Sequence, residues 1–135
     1  YSALLLHNRG MKTILFSILI LFSINGFAHN WKKVSKGQNG ESYVDVDNIK
    51  KHNGLVYFWV LGDKYEQGEN GVYSYVVKFK VNCEVGKQTE LDATFFNQQM
   101  GEGRIVGKLN RNEINYPRPG THGYIEMKYA CDNAK

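Results

Sequence analysis

The stretch Tyr73-Ser74-Tyr75-Val76-Val77-Lys78-Phe79-Lys80-Val81-Asn82-Cys83 decides how the rest of the chain is laid out. Tyr73, Tyr75, Val77, Phe79, Val81 and Cys83 occupy the odd positions, and Ser74, Val76, Lys78, Lys80 and Asn82 the even ones. Successive side chains of a strand point to opposite faces, so this alternation predicts a strand with an apolar face and a wet face. The wet face is Ser74, Lys78 and Lys80. The strand ends in one of only two cysteines.

Upstream, Leu55-Val56-Tyr57-Phe58-Trp59-Val60-Leu61 is apolar on both parities, which predicts a strand covered on both faces at the centre of a sheet. Residues 62–72 are polar, with Gly68 and Gly71, and join the two strands as a long antiparallel hairpin. Trp31-Lys32-Lys33-Val34 reads as a first strand and Ser42-Tyr43-Val44-Asp45-Val46-Asp47 as a second. Residues 48–54, closed by Asn53-Gly54, are expected to form a single helical turn or a 3₁₀ segment, with Asp47 or Asn48 accepting the free N–H groups at its start and Asp45 and Asp47 as capping carboxylates at the strand end.

Downstream, residues 84–87 make a turn and residues 88–97 a further strand. Thr89, Leu91, Ala93 and Phe95 form its apolar face; Glu90 and Asp92 lie on its wet face, where Lys78 and Lys80 would pair with them. Gly101, Gly103 and Gly107 interrupt the next segment, so Arg104-Ile105-Val106 and Glu113-Ile114-Asn115-Tyr116 are read as short or irregular strands. After the break at Pro117-Arg118-Pro119-Gly120, the spacing of Tyr124, Met127, Lys128 and Cys131 predicts a helix with Thr121 as its N-cap, although Ile125, Met127, Tyr129 and Cys131 fit a strand.

The first residues belong to export. Met11-Lys12 is followed by an apolar run of 12 residues and then by Gly26-Phe27-Ala28, which together read as a signal peptide over residues 11–28. Residues 1–10 precede that start and are read as an upstream, non-native segment. The mature domain would be residues 29–135, leaving 107 residues, one domain in size. Its basic residues fall from 17 to 15 against 13 acidic ones, a net charge of +2 spread along the chain. A nucleic-acid binder would carry a clustered basic face, so that class is excluded. No cysteine stands at the cleavage site, so no lipoprotein anchor is expected. Export makes a disulfide between Cys83 and Cys131 the natural reading, stabilising by about 4 kcal/mol through loop closure.

No constellation of residues carries a reaction, and no enzyme activity and no cofactor are expected. Asp45-Val46-Asp47-Asn48 starts like a calcium loop, but Ile49, Lys50 and Val56 stand where ligands or the turn glycine are required. His29 would be the mature N-terminus and could bind copper with His52 or His122, the weakest of the readings. The cysteines have each other as partners and no neighbouring His, which argues against a nucleophile. Tyrosines 43, 57, 65, 73 and 75 gather around the central hairpin, as in sheet packing or at recognition surfaces.

Taken in order, Trp31, Tyr43-Val44-Asp45, Asn48-Ile49, Gly54, Val56 to Trp59, Ser74 through Lys78 to Asn82-Cys83, Pro119-Gly120 and Cys131 resemble the surface-adhesin protein E domain of Gram-negative bacteria. The resemblance covers nearly all of residues 29–135. It implies an α+β fold: an antiparallel sheet curved around a C-terminal helix, with the disulfide tying helix to sheet. It further implies that Asp45 caps a turn and that a homodimer can form. Adhesins of this type bind host matrix proteins such as vitronectin and laminin. A basic pair ahead of the Cys-ending strand accompanies vitronectin binding, and Glu69 and Asn70 stand at the matching positions here. The expectation is therefore an exported binding domain, periplasmic or at the cell surface, contacting a host matrix or envelope protein through residues 62–72 with Lys64, Tyr65, Lys78 and Lys80. The alternative is a periplasmic, envelope-associated structural protein.

Overall fold

A computed structural model describes residues 28–135. The signal peptide expected over residues 11–28 and the leading residues 1–10 lie, Ala28 apart, outside the described residues. Seven strands form one antiparallel sheet: β1 (Trp31–Lys36), β2 (Gly40–Asp45), β3 (Lys50–His52), β4 (Leu55–Lys64), β5 (Ser74–Asn82), β6 (Lys87–Phe96) and β7 (Ile105–Asn115). The spatial order is β1-β2-β4-β5-β6-β7, with β3 pairing beside β2 on the same edge of β4. A C-terminal helix, α1 (His122–Asn133), completes the α+β fold expected from the sequence.

β4 is central because both its parities are apolar. Register and alternation put Val56, Phe58 and Val60 on one face, with Val44 of β2 and Val77, Phe79 and Val81 of β5. Helix α1 packs Met127 and Ala130 against this face, and Val44, Val56, Phe58, Val60 and Val81 are each at most 2% exposed. Burying a side chain of this size contributes roughly 1.5–3 kcal/mol. Thr121 starts the helix: its Oγ1 accepts from the Tyr124 N–H at 3.2 Å. Near its other end Cys131 is bonded to Cys83, just past β5. The helix prediction holds over the strand alternative because the Pro-Gly break, the cap and the apolar spacing all act on the same twelve residues.

Three local readings are corrected. Residues 48–54 do not form a helical turn. Lys50–His52 is a strand, and Asn53 and Gly54, with φ of 50° and 77°, make the two-residue turn into β4. Asn-Gly supplies positive φ at both central positions at low cost, which is the chemistry of a tight hairpin. Residues 104–116 do not hold two short strands but the single eleven-residue β7. Gly107 does not break it, because it lies opposite Phe95 and a Cβ there would meet the ring at an ordinary 3.6 Å. Ser74, read as wet, is wholly buried. The 3₁₀ turn Gln99–Gly101 folds back over it: Ser74 Oγ donates to the Gln98 carbonyl at 2.6 Å and accepts from the Gly101 N–H at 2.9 Å.

A register shift in β6 overturns the pairing expected of its carboxylates. Lys78 lies opposite Asp92, but Phe79 lies opposite Glu90, so Leu91 is an extra residue. A bulge of one residue reverses the parity of everything beyond it. Asp92 therefore stays on the face of Lys78, whereas Glu90 moves to the face of Phe79. There the Arg111 Nε–H donates to Glu90 at 2.6 Å. Thr89, now beside Lys80, leaves the face of Ala93 and Phe95.

Candidate functional site

The sheet face away from α1 concentrates aromatic rings and ammonium groups. From β4 it receives Tyr57, Trp59 and Leu61, and from the paired positions of β5 Lys80, Lys78 and Val76. Leu61 is buried there by the turn at Gln99–Gly101: a Cβ on Gly101 would lie 3.5 Å from both Leu61 and Val76. Trp59 is half-buried, with the Lys78 Nζ 5.4 Å from its ring centroid. A cation over an indole face at this distance is worth roughly 0.5–1 kcal/mol when exposed. His29 stacks on Trp31 at 4.4 Å and meets Trp59 edge-on at 5.6 Å. Beside these rings lies a cleft of about 300 Å³, bordered by Trp31, Trp59, Val76, Phe96, Ile105 and Lys108.

Asp45 anchors one corner of this face. Its wholly buried carboxylate accepts from the Asn30 N–H (3.1 Å), the Asp47 N–H (3.2 Å), the Asn48 amide (2.7 Å) and the His29 Nδ1–H (2.6 Å). Burial pushes its pKa up, but the hydrogen bonds from His29, Asn48 and the two backbone groups outweigh that and hold it below its ordinary value. Asp45 thus satisfies the chain where it leaves β2, between the two strands that share one edge of β4. Asp47 is exposed and contributes its backbone N–H to that arrangement.

At the other end of β4 lies the loop of residues 65–73. Glu41 is its hub: Tyr43 Oη donates at 2.8 Å, Tyr65 Oη at 3.3 Å, and the Lys33 ammonium sits at 3.0 Å. The bond from Tyr43, then Lys33, holds the Glu41 carboxyl below its usual value; burial first, then Glu41, pushes the Tyr43 phenol up to about 12. Tyr65 is 41% exposed. It shares with Lys64, Asn39 and Gly68 an open groove of about 590 Å³.

The four residues that the sequence singles out therefore fall into two groups. Lys78 and Lys80 share the aromatic face. Lys64 and Tyr65 sit at the loop end, about 17 Å farther along β4 at roughly 3.4 Å per residue. The stack of Trp31, His29 and Trp59 is not visible in the sequence. The apolar run around Trp59 reads as core, and nothing local says that Trp31, on the far side of β2, meets the same imidazole. The imidazoles named for copper have separate surroundings: His29 bonds Asp45, His122 Nδ1 lies 2.6 Å from Ser35 Oγ, and His52 lies 3.2 Å from the Asn53 amide. Among the described residues there is no group of three or more His, Cys, Asp or Glu placed to hold a metal ion.

The sheet order, the C-terminal helix and the helix-to-sheet disulfide have a counterpart among known families. The family model for surface-adhesin protein E matches residues 31–132. The chain belongs to the surface-adhesin protein E family. Crystal form II of Haemophilus influenzae protein E superimposes with a TM-score of 0.61, at 19% identity, covering 80% of this chain and 91% of that one. A structure of protein E from non-typeable Haemophilus influenzae gives 0.55 at 19% identity, over 81% and 80%. At this identity the likeness establishes the shared fold. No curated protein sequence matches the chain. Membership in the surface-adhesin protein E family implies export or a cell-surface location. Among the described residues no helix is long and apolar enough to cross a membrane.

Proposed function

We propose that this member of the surface-adhesin protein E family is a non-enzymatic binding module that contacts a host matrix or envelope protein through the sheet face away from α1. What supports the reading is the row Tyr57, Trp59, Lys78 and Lys80 on that face. Aromatic residues supply most of the binding energy in protein interfaces, and lysines at the rim steer encounter with an acidic partner. Lys64 and Tyr65 would extend the contact at the loop end. The test is surface-immobilised vitronectin and laminin against residues 29–135, compared with the Lys78→Glu, Lys80→Glu double variant. Saturable binding that drops tenfold or more in the variant is expected; binding that the variant leaves unchanged overturns the assignment of the face.

A partner inside the envelope is the second reading. It draws on Glu69 and Asn70, which put a carboxylate and a left-handed turn residue (φ 63° at Asn70) where a basic pair would serve vitronectin. Protease shaving of intact cells separates the two. Digestion favours the host partner, and full protection the envelope one. A second copy of the chain would pair along β7, whose Ile105, Leu109 and Ile114 are 43–52% exposed. Sedimentation velocity of the wild type and a Leu109→Lys variant tests this: a dimer lost in the variant is expected, and a wild-type monomer ends it.

A further inference from the structure

The cleft between the first turns of α1 and strands β2, β4 and β5 is lined, Lys64 apart, by polar groups that the binding face does not use. Its floor is Ser42 and Tyr75, which register places on the helix side of the sheet, with Gly62 beneath the Tyr75 ring, and Glu126 reaches it from α1. Asn39 and His122, both exposed, stand at its rim, and its volume is about 180 Å³. Gly62 is required there, since a Cβ would come within 2.2 Å of the Tyr75 ring, which lies flat across it.

Two oxygens in this cleft are buried without a hydrogen-bond partner: Ser42 Oγ and Glu126 Oε2, on residues 5% and 8% exposed. A carboxyl buried in this way costs several kcal/mol unless something meets it. The other charged groups around the cleft are turned elsewhere. Glu41 and Asp63 border it, but alternation turns their side chains to the opposite face, where Lys33 and Tyr43 hold Glu41 and the Met100 N–H donates to Asp63 Oδ1 at 2.8 Å. Lys64 extends over Gly68, and His122 Nδ1 faces Ser35 Oγ. The unmet demand is thus for a hydrogen-bond donor, and the unpaired carboxyl favours a positively charged one.

We propose that this cleft is a binding site for a small primary ammonium group, which donates to Glu126 Oε2 and Ser42 Oγ. The ligand is a free small amine or a lysine side chain; the chemistry that recognises either is the same. Two of its three N–H donors meet acceptors that are otherwise orphaned, and charge-assisted bonds to a carboxylate are about twice as strong as neutral ones. Burial pushes the Glu126 carboxyl up to about 8, so an ammonium entering the site displaces its proton, and binding tightens as pH rises from 7 toward 8. His122 is the one imidazole at the rim, and Tyr75 is held protonated by burial, with Glu126 and Glu90 adding to the effect. This site is on the opposite face from the adhesive surface and does not depend on that reading.

The experiment is NMR titration of residues 29–135 with ethylammonium chloride, with tetramethylammonium as a control that has the charge but no N–H. Saturable shifts at Ser42, Gly62 and Glu126 with ethylammonium alone are expected. Glu126→Gln should weaken them roughly tenfold or more, and Ser42→Ala about threefold. Should Glu126→Gln fail to fold, Ser42→Ala carries the comparison. Nα-acetyl-lysine methylamide separates the sources: shifts at the same residues extend the site to a partner's lysine, and their absence beside an ethylammonium response restricts it to free amines. No saturable shift with either amine, equal shifts with tetramethylammonium, or an affinity unchanged in both variants overturns the proposal.

Discussion

Phe58 on β4 and Leu109 on β7 both point to the side of the sheet on which α1 lies, yet Phe58 is wholly buried and Leu109 is 43% exposed. The helix packs across β1, β2 and β4 and does not extend over β7. Strand formation at the two sites has different causes. β4 is held by a core on one face and by Leu61 under the Gln99–Gly101 turn on the other. β7 is held by its ladder to β6 and by surface pairs such as Arg111 with Glu90 and Glu113. Residue type alone thus does not decide burial here; the reach of one twelve-residue helix does.

Four measurements test this contrast. Phe58→Ala should cost about 4 kcal/mol in urea unfolding, since the wholly buried ring leaves a cavity under α1. A loss below about 1 kcal/mol would mean that the helix is not packed on β4. The helix side also carries a pH dependence of similar size. Glu126 binds its proton more tightly in the folded chain, with its carboxyl raised by burial from 4.5 to about 8. Between those values the folded state keeps a proton that the unfolded state has released, so stability falls as pH rises through the window. The loss is on the order of 4 kcal/mol, and Glu126→Gln should remove it. A wild-type profile flat from pH 5 to 8 would break the assignment of Glu126 to the buried side.

Asp45 has the opposite sign. Hydrogen bonds from His29, Asn48 and two backbone N–H groups outweigh the desolvation that pushes its pKa up, leaving it below 3.8. Its contribution is present above that value and is lost as pH falls through the lowered folded pKa. Asp45→Asn should cost about 2 kcal/mol at pH 7 and leave a shallower acid limb. The smallest effect is expected farthest from the helix: in the monomer, diluted below any self-association, Leu109→Thr on β7 should stay within about 0.5 kcal/mol. A cost above about 1 kcal/mol at that dilution would show that this edge is covered within the monomer.

The corrected elements show how far local pattern reaches. β4 and β5 are legible because alternation, or its absence across both parities, survives in the residues themselves. β3 is not, because Asn53-Gly54 serves equally as a helix stop and as a hairpin turn, and only the strand next to it selects between them. β7 escapes because a strand exposed on both sides has no apolar period to detect. The candidate site is legible in part. Lys78 and Lys80 stand where alternation puts them, but the bulge at Leu91 separates Glu90 from Asp92, and Trp31 reaches the Trp59 face only through the sheet order.

The amino-acid sequence was enough for the central hairpin, the capped helix after Pro119-Gly120, the pairing of Cys83 with Cys131 and the family. Each rests on local periodicity, on a short motif or on there being only two cysteines to pair. Long-range packing set which sheet face the helix covers, where the parity of β6 reverses, and which oxygens are buried without partners. These depend on contacts between residues far apart in the chain: Ser42 and Glu126 share a cleft although 84 positions separate them. No local pattern in the sequence encodes such a distance.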